Sequence, residues 1–560
     1  MLFLLYFIIF IAGQGVVAAP LNDKWVTIFN PPATIIGSSR NGIDSFNGIP
    51  FALPPVGPLR LKPPQPITIP FGIIKATGGA RSCPQFFFTT NTKNYLQSIL
   101  GKFMNTILLQ TVVDAGEDCL NLSIRRPAGT KSGAKLPVIV WIYGGGFEIG
   151  STGSYDGGPF VSSAVKLGMP VVFLAMNYRV GGFGFMPGSE ILQDGSSNLG
   201  LLDQRLALQW VAENIEAFGG DPSKVTIWGE SAGSISVFNQ MSMYDGNHIH
   251  NGFPLFQGAI MDSGTMVPAE PVDGVKGQAT YDAVVRAAGC TEAINTLDCL
   301  RGLDYHTFLN AANSVPGVFS YNSVSLAYVP RPDGTVLTDS ADHLAASGRY
   351  ASIPFITGDQ EDEGTIFALF QANITTTDEL IDYFKDLYFF NASHQQIAEL
   401  VAMYPDDAKA GSPFHTGNSH NWYPQYKRLA AILGDLSFTL TRRVFLSYAI
   451  KAKPDVPFWS YLSSYDYGLP LLGTFHGSDI LQVFYGLLPN YASKSIHTYY
   501  LSFAYDRDPN SRAKAFMKWP KWGEKHKMMN FFNNYGAIMR DDFRQNVSDF
   551  IGNNSESFHI

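Results

Sequence analysis

Residues 224–238 read KVTIWGESAGSISVF and contain a G-x-S-x-G pattern around Ser231. The β-branched residues before the pattern predict a strand, and the residues after it can continue as a helix. Such a strand–turn–helix junction holds its serine in a strained conformation that lifts the hydroxyl clear of the sheet edge. Gly229 and Gly233 leave the room that this tight turn requires. The stretch therefore predicts a nucleophilic serine, although the pattern alone would also fit a glycine–serine loop.

Strand-like and helix-like stretches alternate along the chain around this junction. Residues 136–143 and 170–176 are continuous apolar runs, typical of strands buried on both faces of a parallel sheet. Residues 201–218 have helical spacing, and residues 225–228 and 257–261 return to strand character. This alternation predicts an α/β fold with a large, doubly wound, mostly parallel sheet flanked by helices.

The remainder of the chain fits one large domain. The first 130 residues look rich in strands and loops, and helical segments dominate beyond residue 265, with strand-like runs at 354–357 and 457–462. No linker, repeat or low-complexity tract divides the chain, so residues 19–560 are expected to form a single domain with insertions. A formal net charge of −8 without a basic stripe argues against a nucleic-acid partner. No metal-ligand spacing, phosphate loop or dinucleotide motif occurs, so neither a metal nor a cofactor is expected.

The first twenty residues, MLFLLYFIIFIAGQGVVAAP, form an apolar run followed by small residues. This pattern predicts a secretory signal peptide over residues 1–18, cleaved after Ala18, with an uncleaved anchor as the alternative. No other apolar run is long enough to span a membrane, so the mature chain is expected to be extracellular without an integral membrane span.

Four cysteines in an exported chain suggest two disulfides, for which three pairings exist. Joining each cysteine to its neighbour along the chain, Cys83–Cys119 and Cys290–Cys299, is the simplest pairing. Five N-glycosylation sequons also occur, and the one at Asn121 lies in a predicted strand, so it is not expected to carry a glycan. The other four lie in polar surroundings and are predicted glycosylation sites: Asn373, Asn391, Asn546 and Asn553.

A second glycine-rich segment, WIYGGGFEIG at residues 141–150, directly follows a predicted strand. Glycines let the main chain approach a developing oxyanion closely. The amides of Gly145 and Gly146, together with that of Ala232 beside the nucleophile, are predicted to form an oxyanion hole. Each such donor contributes about 3–4 kcal/mol in other hydrolases. A plain glycine turn after the strand is the alternative.

Several motifs together resemble the type-B carboxylesterase family, and within it the secreted triacylglycerol lipases of yeasts and moulds. They are FNGIPFALPPVGPLR (46–60), EDCLNLS (117–123), GGGF (144–147), NYRVGGFGF (177–185), NLGLLDQRLALQWV (198–211) and FGGDPSKVTIWGESAG (218–233). The similarity runs from about residue 25 onwards. It implies the α/β-hydrolase fold and catalytic residues in the order serine, glutamate, histidine.

The resemblance assigns the partners of Ser231. In ITGDQEDEGTIF (356–367), the family's acid directly precedes the Gly-Thr pair, which identifies Glu363, with Glu361 and Asp362 as nearby competitors. In PLLGTFHGSDI (470–480), the matching base is His476. The implied mechanism is an acyl-enzyme mechanism in which the histidine takes the serine's proton and the glutamate orients the histidine.

Ser263, in MDSGT, matches a family position behind these three residues. It is expected to support them by a hydrogen bond. A buried serine that bonds only to the backbone is an equally suitable interpretation.

The segment between Cys83 and Cys119 bears on substrate class. Apolar residues from Leu96 to Leu108 recur with helical spacing, which predicts an amphipathic helix. Similarity to fungal lipases implies that residues 84–118 form a mobile lid, whereas a helix packed on the core is the alternative.

The sequence as a whole predicts a secreted lipase that hydrolyses long-chain triacylglycerols at an oil–water interface. A sterol esterase, or a carboxylesterase without interfacial activation, is the alternative enzyme. A non-catalytic binding module on the same fold is the alternative of a different class, and such modules characteristically lack one of the three catalytic residues.

Overall fold

The computed structural model describes residues 22–86, 114–468, 471–486 and 489–560. The predicted signal peptide and residues 87–113 of the predicted lid segment lie outside the described residues. Within the described ranges, no helix combines the length and apolar character needed to cross a membrane.

The described residues form fifteen strands, and thirteen of these strands belong to one mixed sheet. The strands are β1 (Asn22–Phe29), β2 (Pro32–Arg40), β3 (Ile43–Pro50), β4 (Gly72–Lys75), β5 (Asn121–Pro127), β6 (Leu136–Ile142), β7 (Val172–Met176), β8 (Gly220–Glu230), β9 (Ile249–His250), β10 (Phe253–Pro254), β11 (Gly258–Asp262), β12 (Phe355–Gln360), β13 (Phe458–Ser463), β14 (Lys527–Phe531) and β15 (Gly536–Arg540). Strands β9 and β10 form a separate hairpin.

The sheet order is β1-β2-β3-β5-β7-β6-β8-β11-β12-β13-β14-β15, with β4 paired to β2. In this order, the strands from β7 to β14 run parallel to one another. The pairings β1–β2, β2–β3, β3–β5, β5–β7 and β14–β15 are antiparallel, and β4 pairs parallel with β2. The predicted mostly parallel α/β sheet is thereby confirmed. The apolar runs at 136–143 and 170–176 become the adjacent central strands β6 and β7, buried as predicted.

Helices cover the sheet and connect its parallel strands. They are Gly158–Lys166, Gly181–Gly184, Ser189–Asp194, Leu199–Asn214, Ala232–Gly246, Val275–Ala287, Thr296–Gly302, Tyr305–Ala312, Ala341–Ala346, Thr377–Leu387, His394–Ala402, Tyr426–Gly434, Leu440–Ala452, Tyr491–Asp506 and Gln545–Asn553. Short 3-10 segments include Ile215–Phe218 and Ser555–Phe558, and π-helical turns occur at Asp435–Thr439 and Ile480–Phe484. The helix predicted over 201–218 is thus an α-helix that tightens into a 3-10 turn.

Large aromatic side chains fill the core beneath the carboxyl ends of the strands. Trp141 on β6 and Trp228 on β8 are fully buried, with ring centroids 4.7 Å apart in an edge-on arrangement. Burial of apolar surface contributes about 25 cal/mol per Å², so these side chains fix the central strands relative to each other. The strand ends that carry the candidate site are therefore held by a rigid core.

Both cysteine pairs are disulfide-bonded, with Cα atoms 4.9 Å apart in Cys83–Cys119 and 5.9 Å apart in Cys290–Cys299. The Asn121 amide is buried and donates hydrogen bonds to the carbonyls of Arg81 and Cys119, which leaves no access for a glycan. The four sequons predicted to be glycosylated have exposed asparagines: Asn373, Asn391, Asn546 and Asn553. Their glycosylation stays a prediction.

Candidate active site

The four segments singled out in the sequence end at one edge of the sheet. The glycine run follows β6, Ser231 follows β8, Glu363 follows β12, and the loop of His476 follows β13. These strands lie next to one another, apart from β11 between β8 and β12, and all run parallel. Since ligands of parallel α/β sheets bind at the carboxyl ends of the strands, this edge is the candidate site.

Ser231 adopts the strained backbone that the turn requires, with φ 57° and ψ −126°. Such a conformation costs about 1–3 kcal/mol and persists only where the surroundings impose it. A Cβ atom on Gly229 would lie 2.3 Å from the Gly233 carbonyl oxygen, and one on Gly233 would lie 2.0 Å from that of Ile142. Both glycines are therefore required because the chain passes too closely for side chains.

His476 connects Ser231 to Glu363. Its Nε2 lies 2.8 Å from Ser231 Oγ, and its Nδ1 lies 2.5 Å from Glu363 Oε2. A carboxylate only accepts hydrogen bonds, so Nδ1 carries the proton and Nε2 is left to accept the serine's proton. The other oxygen of Glu363 accepts a hydrogen bond of 2.7 Å from the Gln360 amide, which fixes the carboxylate.

The competing acids contact other groups. Glu361 lies 3.3 Å from His415, and Asp362 accepts hydrogen bonds from the backbone amides of Phe414 and Thr474. Burial raises the pKa of Asp362 to about 7, and the charge of Glu361 contributes. Of the three consecutive acids, only Glu363 touches the candidate base. Asp362 instead fixes the start of the loop that carries His476.

Three backbone amides beside Ser231 have no hydrogen-bond acceptor within the described part of the chain: those of Gly145, Gly146 and Ala232. Gly145 and Gly146 have left-handed φ values of 108° and 66°, and they line the same cavity as Ser231. Ala232 is the first residue of helix Ala232–Gly246, where amides are unpaired and the helix dipole favours negative charge. The arrangement suits stabilisation of an oxyanion.

Comparison with known proteins agrees with this geometry. Residues 26–551 match the sequence profile described as the carboxylesterase family. The chain belongs to the carboxylesterase family. It is 59% identical over 537 residues to Secreted lipase 1 of Botryotinia fuckeliana, covering 96% of this chain and 94% of that protein. It is 56% identical over 532 residues to Secreted triacylglycerol lipase LIP1 of Gibberella zeae, covering 95% and 90%.

The fold is similar to that of solved relatives. The crystal structure of Aspergillus niger EstA matches with a TM-score of 0.79 and 25% identity, covering 96% of this chain and 99% of that one. A thermophilic PNB esterase structure matches with a TM-score of 0.73 and 26% identity, covering 94% and 100%.

Two buried acids of this carboxylesterase lie at the site and were missed in the sequence. Glu230 Oε1 lies 3.4 Å from His476 Nε2. Burial raises the pKa of Glu230 well above its usual range, and the charges of Asp479 and Glu363 raise it further. Burial likewise raises the pKa of Asp479. Both shifts favour neutral carboxyl groups. Position 230 is the variable residue of the G-x-S-x-G pattern, so only its place beside the nucleophile could have signalled a role.

Ser263 lies one step further from the reacting atoms. Its hydroxyl lies 3.5 Å from the Gln360 side-chain amide, and its backbone amide donates to the Gly358 carbonyl. Gln360 in turn donates its backbone amide to Glu363. Ser263 therefore reaches the acid only through Gln360, and its predicted supporting role stays a prediction.

An apolar cavity of about 570 Å³ extends from Ser231 into the protein. Its lining includes side chains from distant parts of the chain: Phe147, Met266, Val318, Phe438, Ile551 and Ile560. The ring of Phe438 also packs against that of His476, with centroids 4.5 Å apart. The apolar cavity therefore begins at the candidate catalytic groups and extends away from them between apolar side chains.

Proposed function

We propose that this carboxylesterase is a secreted lipase that hydrolyses triacylglycerols of long-chain fatty acids through an acyl-enzyme on Ser231. The observation that carries the proposal is an apolar cavity opening at a serine hydroxyl within hydrogen-bonding distance of a histidine. The names of two similar fungal proteins, a secreted lipase and a secreted triacylglycerol lipase, support the substrate class and the export. Two disulfides are in keeping with an oxidising compartment.

Acylation begins when Ser231 Oγ attacks the ester carbonyl carbon and His476 Nε2 accepts the hydroxyl proton. Glu363 holds Nδ1–H and stabilises the imidazolium that forms. The carbonyl oxygen becomes an oxyanion, which accepts hydrogen bonds from the amides of Gly145, Gly146 and Ala232. These donors are fixed before the reaction, so no reorganisation energy is lost as the charge develops.

Collapse of the intermediate breaks the bond to the alcohol oxygen, and His476 donates its proton to the departing alcohol. A water molecule then attacks the acyl-enzyme while His476 again accepts a proton. The fatty acid leaves and Ser231 regains its hydrogen. Every proton transfer uses the same Nε2 atom, which accounts for the single histidine facing the serine.

Chain-length preference follows from the cavity. Each methylene group transferred from water into an apolar site contributes about 0.8 kcal/mol. A long acyl chain along the walls near Val318 and Ile551 is therefore bound more tightly than a short one.

The segment 84–118 is proposed as a lid that exposes this cavity at an oil–water interface. We further propose that residues 19–560 form one catalytic domain, because thirteen strands, from β1 near the start of the described chain to β15 near its end, belong to a single sheet.

Hydrolysis rates across a substrate series test the proposal. The series runs from short soluble esters to long-chain triglyceride emulsions and cholesteryl esters. We expect the highest rates on triglycerides, with a rise above the solubility limit. Preference for cholesteryl esters would identify a sterol esterase instead, and preference for soluble esters without interfacial activation would identify a general carboxylesterase.

Labelling with an organophosphonate tests catalysis itself, because only an activated serine reacts. We expect one label per chain in the wild type and none in Ser231→Ala. An unlabelled wild-type protein that is folded would indicate a non-catalytic binding module.

A further inference from the structure

A second group of potential ligand atoms lies outside the cavity of Ser231. Asp342 and His343 lie on helix Ala341–Ala346, and His559 directly follows the 3-10 turn Ser555–Phe558. One atom from each of the three side chains lies within 4.8 Å of the others. Asp342 Oδ2 lies 3.1 Å from His559 Nε2 and 3.9 Å from His343 Nε2.

These separations suit a small divalent ion. Tetrahedral zinc binds nitrogen and oxygen ligands at about 2.0–2.2 Å, which places neighbouring ligand atoms about 3.3–3.5 Å apart. The two distances from Asp342 Oδ2 lie on either side of that range. Two imidazoles and a carboxylate also match the ligand types that zinc prefers. The three side chains therefore need only small movements to share one ion.

Neighbouring residues already orient two of the ligands. His343 Nδ1 lies 2.9 Å from Asp339 Oδ1, so the proton on Nδ1 is held there and Nε2 faces the group. Arg349 fixes Asp339 by a hydrogen bond of 2.5 Å. The second oxygen of Asp342 accepts a hydrogen bond from Ser340 Oγ. A carboxylate that binds the far nitrogen of a histidine is the usual support of a metal ligand.

The open side of the group offers an entry path, next to one further carboxylate. Glu556 Oε1 lies 3.3 Å from His343 Nε2, and the Glu556 side chain is 81% exposed. Asp342 is buried while His343 is one-third exposed, so solvent reaches the group from the side of His343.

We propose that Asp342 Oδ2, His343 Nε2 and His559 Nε2 bind one Zn²⁺ ion. Asp342 and His559 are 217 positions apart, so no spacing in the sequence indicates this site. It departs from the expectation of no metal. The ion would lock the segment after Gln545–Asn553 onto helix Ala341–Ala346. Phe558 and Ile560, on either side of His559, line the apolar cavity, so the ion would stiffen a wall of the substrate site.

Calorimetric titration of the chelator-treated protein with ZnCl₂ alone tests the proposal. We expect one equivalent to bind, with affinity at least about tenfold lower in His343→Ala and His559→Gln. The glutamine can still donate a hydrogen bond to Asp342, so His559→Gln separates metal binding from the existing ion pair. The matched control is His250→Ala, since His250 contacts Glu213 at 2.8 Å and belongs to no three-ligand group of the described residues.

A second readout does not depend on heat signals. Zn²⁺ binding to the folded state should raise the melting temperature of the wild type and of His250→Ala, and should leave that of His559→Gln unchanged. Melting of the metal-free variants also shows whether they fold. Absence of saturable binding to the wild type would overturn the proposal, as would equal affinity in the wild type and His559→Gln.

Discussion

Two histidine–carboxylate pairs in this molecule share a local geometry and lie in different surroundings. His476 presents Nδ1 to Glu363 at 2.5 Å, and His343 presents Nδ1 to Asp339 at 2.9 Å. The first pair is buried, at 9% and 0% exposure, whereas the second is at 33% and 38%. The carboxylate fixes where Nε2 points in both pairs.

What lies opposite Nε2 differs between the two pairs. His476 Nε2 faces a strained serine hydroxyl at the mouth of an apolar cavity, where a low dielectric strengthens every charge interaction. His343 Nε2 faces the carboxylates of Asp342 and Glu556 near solvent. If both proposals hold, the same oriented imidazole transfers protons at one place and binds a metal ion at the other.

The largest expected effect is removal of the active-site carboxylate. Glu363→Gln keeps the size of the side chain but no longer stabilises the imidazolium, so kcat should fall about 10⁴-fold on a soluble ester. Glu361→Gln is the matched control, because Glu361 contacts His415 instead, and its kcat should stay within about twofold. Equal losses in the two variants would contradict the assignment of the acid.

The oxyanion hole should give the next largest effect. A Cβ on Gly145 would lie 2.4 Å from the Ile149 carbonyl oxygen, so Gly145→Ala must move the donor amide. We expect a loss of about 10²- to 10³-fold in kcat with smaller change in KM. Gly129→Ala controls for backbone strain, since Gly129 has φ 79° and open space around it. A comparable kcat loss in that control would mean that strain alone is responsible.

Removing the carboxylate of the pair His343–Asp339 should have a smaller effect, which is measured on zinc affinity. Asp339→Asn removes the carboxylate behind His343, and zinc affinity should fall by about 10- to 100-fold. Titration with ZnCl₂ measures this directly. An unchanged affinity would show that Asp339 does not orient the proposed ligand, and would break the parallel between the two pairs.

The smallest effect concerns the pH dependence of stability. The pKa of Asp362 is about 7 in the folded protein, which exceeds its value in the unfolded chain. The contribution of Asp362 to the free energy of unfolding is therefore fully present below pH about 4 and is lost as the pH rises towards 7. Glu361→Gln removes a charge that raises this pKa, so the loss should end at lower pH. Urea unfolding between pH 4 and 8 measures the slope, and an identical profile in wild type and variant would contradict this account.

The central sheet was predictable because its strands carry their own signal. Continuous apolar runs identified β6 and β7 almost to the residue. Strand β8 begins at Gly220 rather than at residue 225, because Gly220 pairs with Leu136 on β6. Glycine, aspartate and proline in residues 220–223 have low strand propensity, so tertiary pairing extends the strand against its local sequence.

The candidate site was predictable only in part. The G-x-S-x-G pattern located Ser231 from the local sequence alone. The choice of Glu363 over Asp362 needed the family resemblance, because adjacent carboxylic acids cannot be told apart by residue type. The structure separates them by direction: Glu363 faces His476, whereas Asp362 faces Thr474. The grouping of Asp342 with His559 depends on how distant segments pack, so no local pattern contains it.

The disulfide between Cys83 and Cys119 has a topological consequence. A protease that cuts the chain once between these two residues leaves both fragments covalently joined. The nicked protein would therefore migrate as one band in electrophoresis until a thiol reagent releases the pieces. A cut between Cys83 and Cys119 and the loss of the N-terminal fragment are thus separate events.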